Sequence, residues 1–176
     1  MMRKIFLLFL LVLLISLFVF IIPVRTALVF YERNTDHYEV FLPLKAGDTF
    51  QIIFTHSIHL TDVVEKYKIT ENLQIEQYEF VYEEFGIGMP SNAEEGESFV
   101  YEDGKYHIKN MNNVFESLRI RNGKTVSKHR LVWGTKDDEQ KHMVWFNDYF
   151  EPGEWYTLKV ERLSLWDYVK GVKIHE

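Results

Sequence analysis

The sequence predicts an all-β domain, an antiparallel β-sandwich or small open barrel, preceded by one N-terminal transmembrane helix. Three observations carry this expectation. Residues 5–24 hold no charge, and Ser16 is their only polar side chain. From residue 27 the hydrophobic period shortens to two, the repeat of a strand with one buried face. Turn signals then recur at Lys45-Ala46-Gly47-Asp48, Asp103-Gly104, Asn122-Gly123 and Pro152-Gly153, cutting the chain into short segments.

The apolar run comes first. As a helix it reaches about 30 Å, the thickness of a bilayer core. A cleaved signal peptide has an apolar region of about 7–15 residues ending in small residues. Here the run is longer and leaves through Pro23-Val24-Arg25-Thr26-Ala27, a poor cleavage sequence. Residues 1–24 are therefore read as a membrane anchor or uncleaved signal, with cleavage as the competing reading, and residues 25–176 as an extracytoplasmic β-domain. Arg3 and Lys4 precede the span, so the positive-inside rule keeps the N-terminus cytoplasmic in a single-pass protein. Arg25 and Arg33 weaken that bias.

Candidate strands follow at 28–33, 37–42, 49–56, 63–70, 73–82, 97–102, 105–109, 115–121, 128–133 and 155–162. Asp-Gly and Asn-Gly favour tight hairpins because both central residues need positive φ. The tail, 163–172, reads as a short helix with Leu165, Trp166 and Val169 on one side. About ten short strands joined by such turns suit a sandwich or small barrel.

Composition removes several function classes. The net charge of -6 opposes nucleic-acid binding, which needs a basic stripe. The aromatic content of 16% is too high for a disordered chain. Without cysteine there is no disulfide scaffold, thiolate zinc site or cysteine nucleophile. Charge is segregated: between Lys68 and Lys105 the chain has ten carboxylates and no Lys or Arg, and from Lys105 to Arg130 seven basic residues face one acid, Glu116. Complementary strands paired across a sheet explain this most simply. An acidic loop at Glu94-Glu95-Gly96-Glu97 meeting a partner or Ca²⁺ is the alternative, although its ligand spacing is irregular for calcium.

Strand parity singles out polar residues on apolar faces, since alternate side chains share a face. His56 shares parity with Phe50, Ile52 and Phe54; Glu65 falls between Val63 and Tyr67; His129 shares parity with Leu131 and Trp133. A buried ionisable group needs a partner, so His56 is expected to pair with Glu65, with His129 completing a cluster. That cluster reads as a structural pair, as a polar ligand pocket, or as a catalytic or metal site. Catalysis is the weaker reading. Ser57 follows His56 and faces the other way along a strand, and no Gly-x-Ser-x-Gly elbow occurs. A metal site on His56, His59 and Glu65 needs a turn beginning near Ile58. His37, His107, His142 and His175 are read as surface or loop residues. Gly86-Ile87-Gly88 has no helix after it and is read as a turn, not a phosphate loop.

Three blocks, Phe54-Thr55-His56-Ser57-Ile58, Val64-Glu65-Lys66-Tyr67 and Phe85-Gly86-Ile87-Gly88-Met89-Pro90, carry a family resemblance. They resemble an uncharacterised bacterial family of small exported or membrane-anchored proteins encoded beside, or fused to, the membrane subunit of TAXI-type TRAP transporters. Arg121-Asn122-Gly123, His129-Arg130-Leu131 and Pro152-Gly153 look like that family's C-terminal half, so the resemblance covers roughly 28–162. Glu84 and Ile87 depart from it, standing where a small residue and an alanine are usual. The resemblance implies a non-enzymatic accessory of small-organic-anion uptake. Its partners would be the TRAP membrane subunit or its substrate-binding protein, and it implies no cofactor. With the parity argument, it makes His56, Ser57, Glu65, Arg121 and His129 a candidate carboxylate-binding or structural cluster, Arg121 supplying a bidentate clamp. A stand-alone ligand-binding or sensing domain is the alternative, and a cell-envelope hydrolase using His56 and Glu65 the third.

Overall fold

The structure, a computed structural model, describes residues 2–175 apart from 34, 36, 37, 136 and 137. The reading of His37 as a loop residue, and the start of the strand expected at 37–42, lie outside the described residues. Helix α1 (Met2–Ile21) has no buried residue and is long and apolar enough to cross a membrane. Three residues later the chain enters the first of two packed sheets. The sandwich expected from the period-two pattern is therefore what forms.

The first sheet runs β12 (Val172–Lys173), β2 (Tyr38–Pro43), β1 (Arg25–Glu32), β11 (Trp155–Leu163), β8 (Leu118–Arg121). The second runs β10 (Asp138–Trp145), β9 (Arg130–Thr135), β3 (Thr49–Thr55), β4 (Asp62–Ile69), β5 (Ile75–Tyr82), β7 (Lys105–Phe115), β6 (Ser98–Glu102). All pairings are antiparallel except β12 with β2. Leu28, Phe30 and Leu42 of the first sheet meet Phe50, Ile52, Tyr67, Leu131 and Trp133 of the second in one core.

Strand β1 is buried on both faces from Ala27 to Phe30. Its outer residues Ala27 and Val29 pack with Phe41, Leu163 and Tyr168 of helix α2 (Leu165–Lys170). Ser164 starts that helix with a capping box: its hydroxyl accepts from Asp167 N–H, and the Asp167 carboxylate accepts from Ser164 N–H at 2.9 Å. Tyr168 faces the sheet. Trp166 and Val169 are exposed, and the Trp166 ring meets Phe20 of α1 at 5.9 Å.

Several turn and strand expectations are corrected. Asp103-Gly104 is a hairpin with φ of 50° and 76°. Asn122-Gly123 is not, because β8 and β9 belong to different sheets and neither residue has positive φ. The segment 115–121 is not one strand: β7 runs on to Phe115 through an irregularity around Asn110 (φ 60°), and β8 begins afresh at Leu118. Strands β10 and β12 lie outside the strands expected from the sequence.

The two ends of the sandwich are distinct. Arg25 of β1 pairs with Leu163, and α1 and α2 meet there. At the other end Arg33 N–H donates to Trp155 O, Asn122 N–H to Glu154 O, and Thr55 N–H to Ser127 O. The end of β3, with His56 after it, is thus at the far end of the strands from α1.

Candidate functional site

His56 follows β3 and is 9% exposed. Its Nδ1 accepts from the N–H groups of Ile58 and His59, each at 3.3 Å. The imidazole therefore caps its own turn, as Asx side chains do in loops. With Nδ1 an acceptor, the ring proton is on Nε2, which donates to the Ile87 carbonyl at 3.4 Å. The His59 ring stacks on His56 at 5.1 Å, and its Nδ1 meets the Glu84 carboxylate at 2.9 Å. Gly86 is the contact point. A Cβ there would stand 2.6 Å from His59 Nε2 and 3.3 Å from His56 Cε1, so only glycine lets the loop close on the two rings. Gly88, at φ +88°, completes the turn. The Tyr82 hydroxyl holds the far side by donating to Pro90 O. Two of the resembling blocks are therefore one knot. Ser57 is exposed and turned away from it.

Glu65 is not in that knot. The β3–β4 register sets it opposite Ile52, four residues or about 13 Å of strand from His56. The expected His56–Glu65 pair is corrected accordingly: Glu65 does face inward, but its carboxylate accepts from Tyr67 OH at 2.9 Å, on its own strand. Burial pushes the Glu65 carboxyl above the usual range, with the Tyr67 hydrogen bond opposing.

His129 is inward as the parity predicts, stacked on Phe54 at 5.6 Å and close to Phe146 at 5.5 Å. Its Nδ1 accepts from Gly123 N–H at 3.4 Å. Burial, aided by the neighbouring Arg130 charge, lowers its pKa to about 4, so it is neutral at physiological pH. Beside it lies Asn122, fully buried, whose amide donates to Asn147 Oδ1 and Phe150 O, both at 2.9 Å. Asn122 ties the loop after β8 to the 3-10 helix Phe146–Asp148. The Asn-Gly pair was visible in sequence, but its turn chemistry hid this tertiary role.

Arg121 departs from the expected cluster. On β8 it alternates with the half-buried Ile120, so it is exposed on the outer face, with Nε donating to Gly153 O at 3.1 Å. It is Arg130 whose guanidinium enters the sheet end, pairing with Asp62 at 2.6 Å and lying over Trp145. The predicted cluster thus resolves into the His56 knot, the Glu65–Tyr67 pair, the Asn122–His129 knot and an outward Arg121. Phe54 joins the two knots, since it precedes His56 by two residues and stacks on His129.

Around the His56 knot the surface is apolar. Ile58, Leu60 and Ile87 are 61%, 65% and 86% exposed, and Phe85 is close by in sequence and also exposed. Leu60 holds φ of 58°, a conformation unusual for a bulky side chain. Exposed apolar groups held on strained backbone are a mark of binding loops. Strand parity cannot find them, since loops have none. The charge segregation has the simple explanation in part: Lys66–Glu79, Lys68–Glu76 and Lys109–Glu102 are cross-strand ion pairs. His107 is not a free surface residue but pairs with Glu79 at 2.7 Å. Among the described residues no three His, Asp or Glu side chains converge as a metal site would require.

Comparison with known proteins gives one family. Its model, described as a domain of unknown function (DUF1850), matches residues 50–139, from β3 into β10. That span holds both histidine knots' loops and Glu65 but stops short of Pro152-Gly153. No match was found among curated proteins, and none among solved structures.

Proposed function

The chain belongs to the DUF1850 family, and we propose that it is a non-enzymatic, membrane-anchored accessory domain of a TAXI-type TRAP transporter for small organic anions. In this reading α1 spans the membrane with its N-terminus cytoplasmic, and the sandwich stands on the outer side. The observation that carries the proposal is the apolar tip of Ile58, Leu60 and Ile87, fixed by the His56 knot. The tip is at the end of the sandwich remote from α1, roughly 25 Å of strand away. A partner there is more readily the soluble substrate-binding protein than the membrane subunit. Glu83, Glu84, Glu94 and Glu95 border the same loop, which favours a partner whose apolar socket has a basic rim.

Chemistry at His56 argues against the hydrolase alternative. Its Nδ1 lone pair is taken by two backbone amides and its Nε2 faces a carbonyl, so the ring orders loops and has no nucleophile to activate.

The test is site-specific photocrosslinking in native membranes, with the probe at Ile87 and, as control, at Val172. Adducts with a transporter subunit at Ile87, absent at Val172 and lost in Leu60→Asp, are expected. Equal labelling at both positions, or adducts only with unrelated proteins, would overturn the accessory role.

A further inference from the structure

The outer face of the first sheet is covered by α2 only near the anchor. Farther along, a cavity of about 520 Å³ opens, lined by the side chains of Arg33, Ser117, Arg119, Trp155, Thr157 and Lys159; the Tyr156 side chain points the other way, into the core. The chain has 26 acidic and 20 basic residues, yet among the described residues this lining has three cations and no carboxylate. Among the described residues, none of Arg33, Arg119 and Lys159 forms an ion pair; the Lys159 ammonium lies over the Tyr31 ring at 5.2 Å. The other polar side chains, Ser117, Trp155 and Thr157, offer two hydroxyls and an indole N–H, all able to donate.

Geometry defines the ligand further. Arg33 follows β1, its N–H bonded to Trp155 O, and Arg119 on β8 is opposite Thr157, so the two flank β11 from either side. Two strand spacings across and two residues along β11 set their backbones about 12 Å apart. Each guanidinium can take one carboxylate as a bidentate pair, so two carboxylates on a short linker would satisfy both arginines where a monocarboxylate satisfies one. We propose that this cavity binds a small organic dianion of the dicarboxylate class, one carboxylate toward Arg33, the other toward Arg119, with Lys159 between. The site is on the opposite sheet from the apolar tip and stands independently of the docking proposal.

Full-length protein in neutral detergent, titrated calorimetrically with succinate at low salt, tests this. Saturable one-to-one binding is expected, weakened about tenfold in each of Arg33→Gln and Arg119→Gln, as loss of a charge-assisted contact predicts. Lys170→Gln, on α2, should leave it unchanged. Both arginines are exposed, so the variants should fold, and thermal melts check that. No saturable binding, or binding indifferent to both arginine variants, overturns the site. Acetate or inorganic phosphate binding as tightly as succinate overturns the two-carboxylate geometry. Displacement of succinate by phosphatidylglycerol nanodiscs would identify a lipid-headgroup site instead.

Discussion

The Tyr67 hydroxyl donates to the Glu65 carboxylate at 2.9 Å from the next inward position of the same strand. Strand β4 brings its own partner to a buried acid, and Phe50 stacks on the Tyr67 ring at 5.0 Å to fix it. Removing the donor while keeping the ring isolates the interaction. Tyr67→Phe should destabilise the domain by about 2 kcal/mol at pH 7.5, the size of a hydrogen bond to a charged group. The loss should be smaller at pH 4, where the protonated acid needs the donor less. Urea midpoints at the two pH values would measure it, and a pH-independent loss would contradict the pairing.

Glu65 itself titrates against folding. Its folded pKa is raised, so the native state holds that proton more tightly than the unfolded chain. The favourable contribution is complete below the ordinary carboxylate pKa and fades as pH rises through the raised one. Glu65→Gln should therefore melt higher than the parent at pH 7.5, with the advantage shrinking toward pH 4. A variant less stable at pH 7.5 would show that the Tyr67 hydrogen bond outweighs the cost of burying the charge.

His129 acts in the opposite sense. Its pKa falls from 6.5 to about 4 on folding, so its contribution is present above pH 6.5 and lost as pH falls through 4. Allowing for its partial exposure, the amount is about 2 kcal/mol. In a Glu65→Gln background, His129→Phe keeps a ring beside Phe54 and Phe146 and should flatten the loss between pH 6.5 and 4. An unchanged slope would place the titration elsewhere.

Gly86 is tested by a single methyl group. Gly86→Ala drives a Cβ into His59, whose ring Glu84 holds from the other side. A cost of about 1–3 kcal/mol is expected from overpacking, together with faster proteolysis in the loop after β5. Gly88→Ala, with no atom within 4 Å of its added Cβ, should cost only the backbone strain of positive φ, about 1 kcal/mol. Equal effects would deny the close approach.

Asn122 connects segments far apart in sequence. Asn122→Ala removes two 2.9 Å hydrogen bonds and leaves Phe150 O without that donor. A loss of about 2–3 kcal/mol follows, read as a lower urea midpoint with no change in helix signal.

Sequence made the architecture legible because strand parity is local. It put Phe50, Ile52, Glu65, Tyr67, His129 and Leu131 on inward faces, where the structure has them. Pairing is not local. That His56 meets Ile87 and Glu65 meets Tyr67 depends on register and on how a loop folds back, and neither leaves a periodic trace. Arg121 was placed with the histidines because its block lies beside theirs in sequence; the sheet directs it outward. The basic cavity was unreadable for the same reason, since Arg33, Arg119 and Lys159 are brought together by β11 pairing on both edges.

Three residues separate α1 from β1, and Val24 N–H is already bonded to Leu163 O. Such a joint gives the domain no tether. Were α1 in a bilayer, as proposed, the sandwich would be a spacer of fixed height, carrying its tip in a plane parallel to the membrane. It would find partners by lateral drift at that altitude, not by sweeping a volume, and a lengthened joint would blur the height without altering the tip.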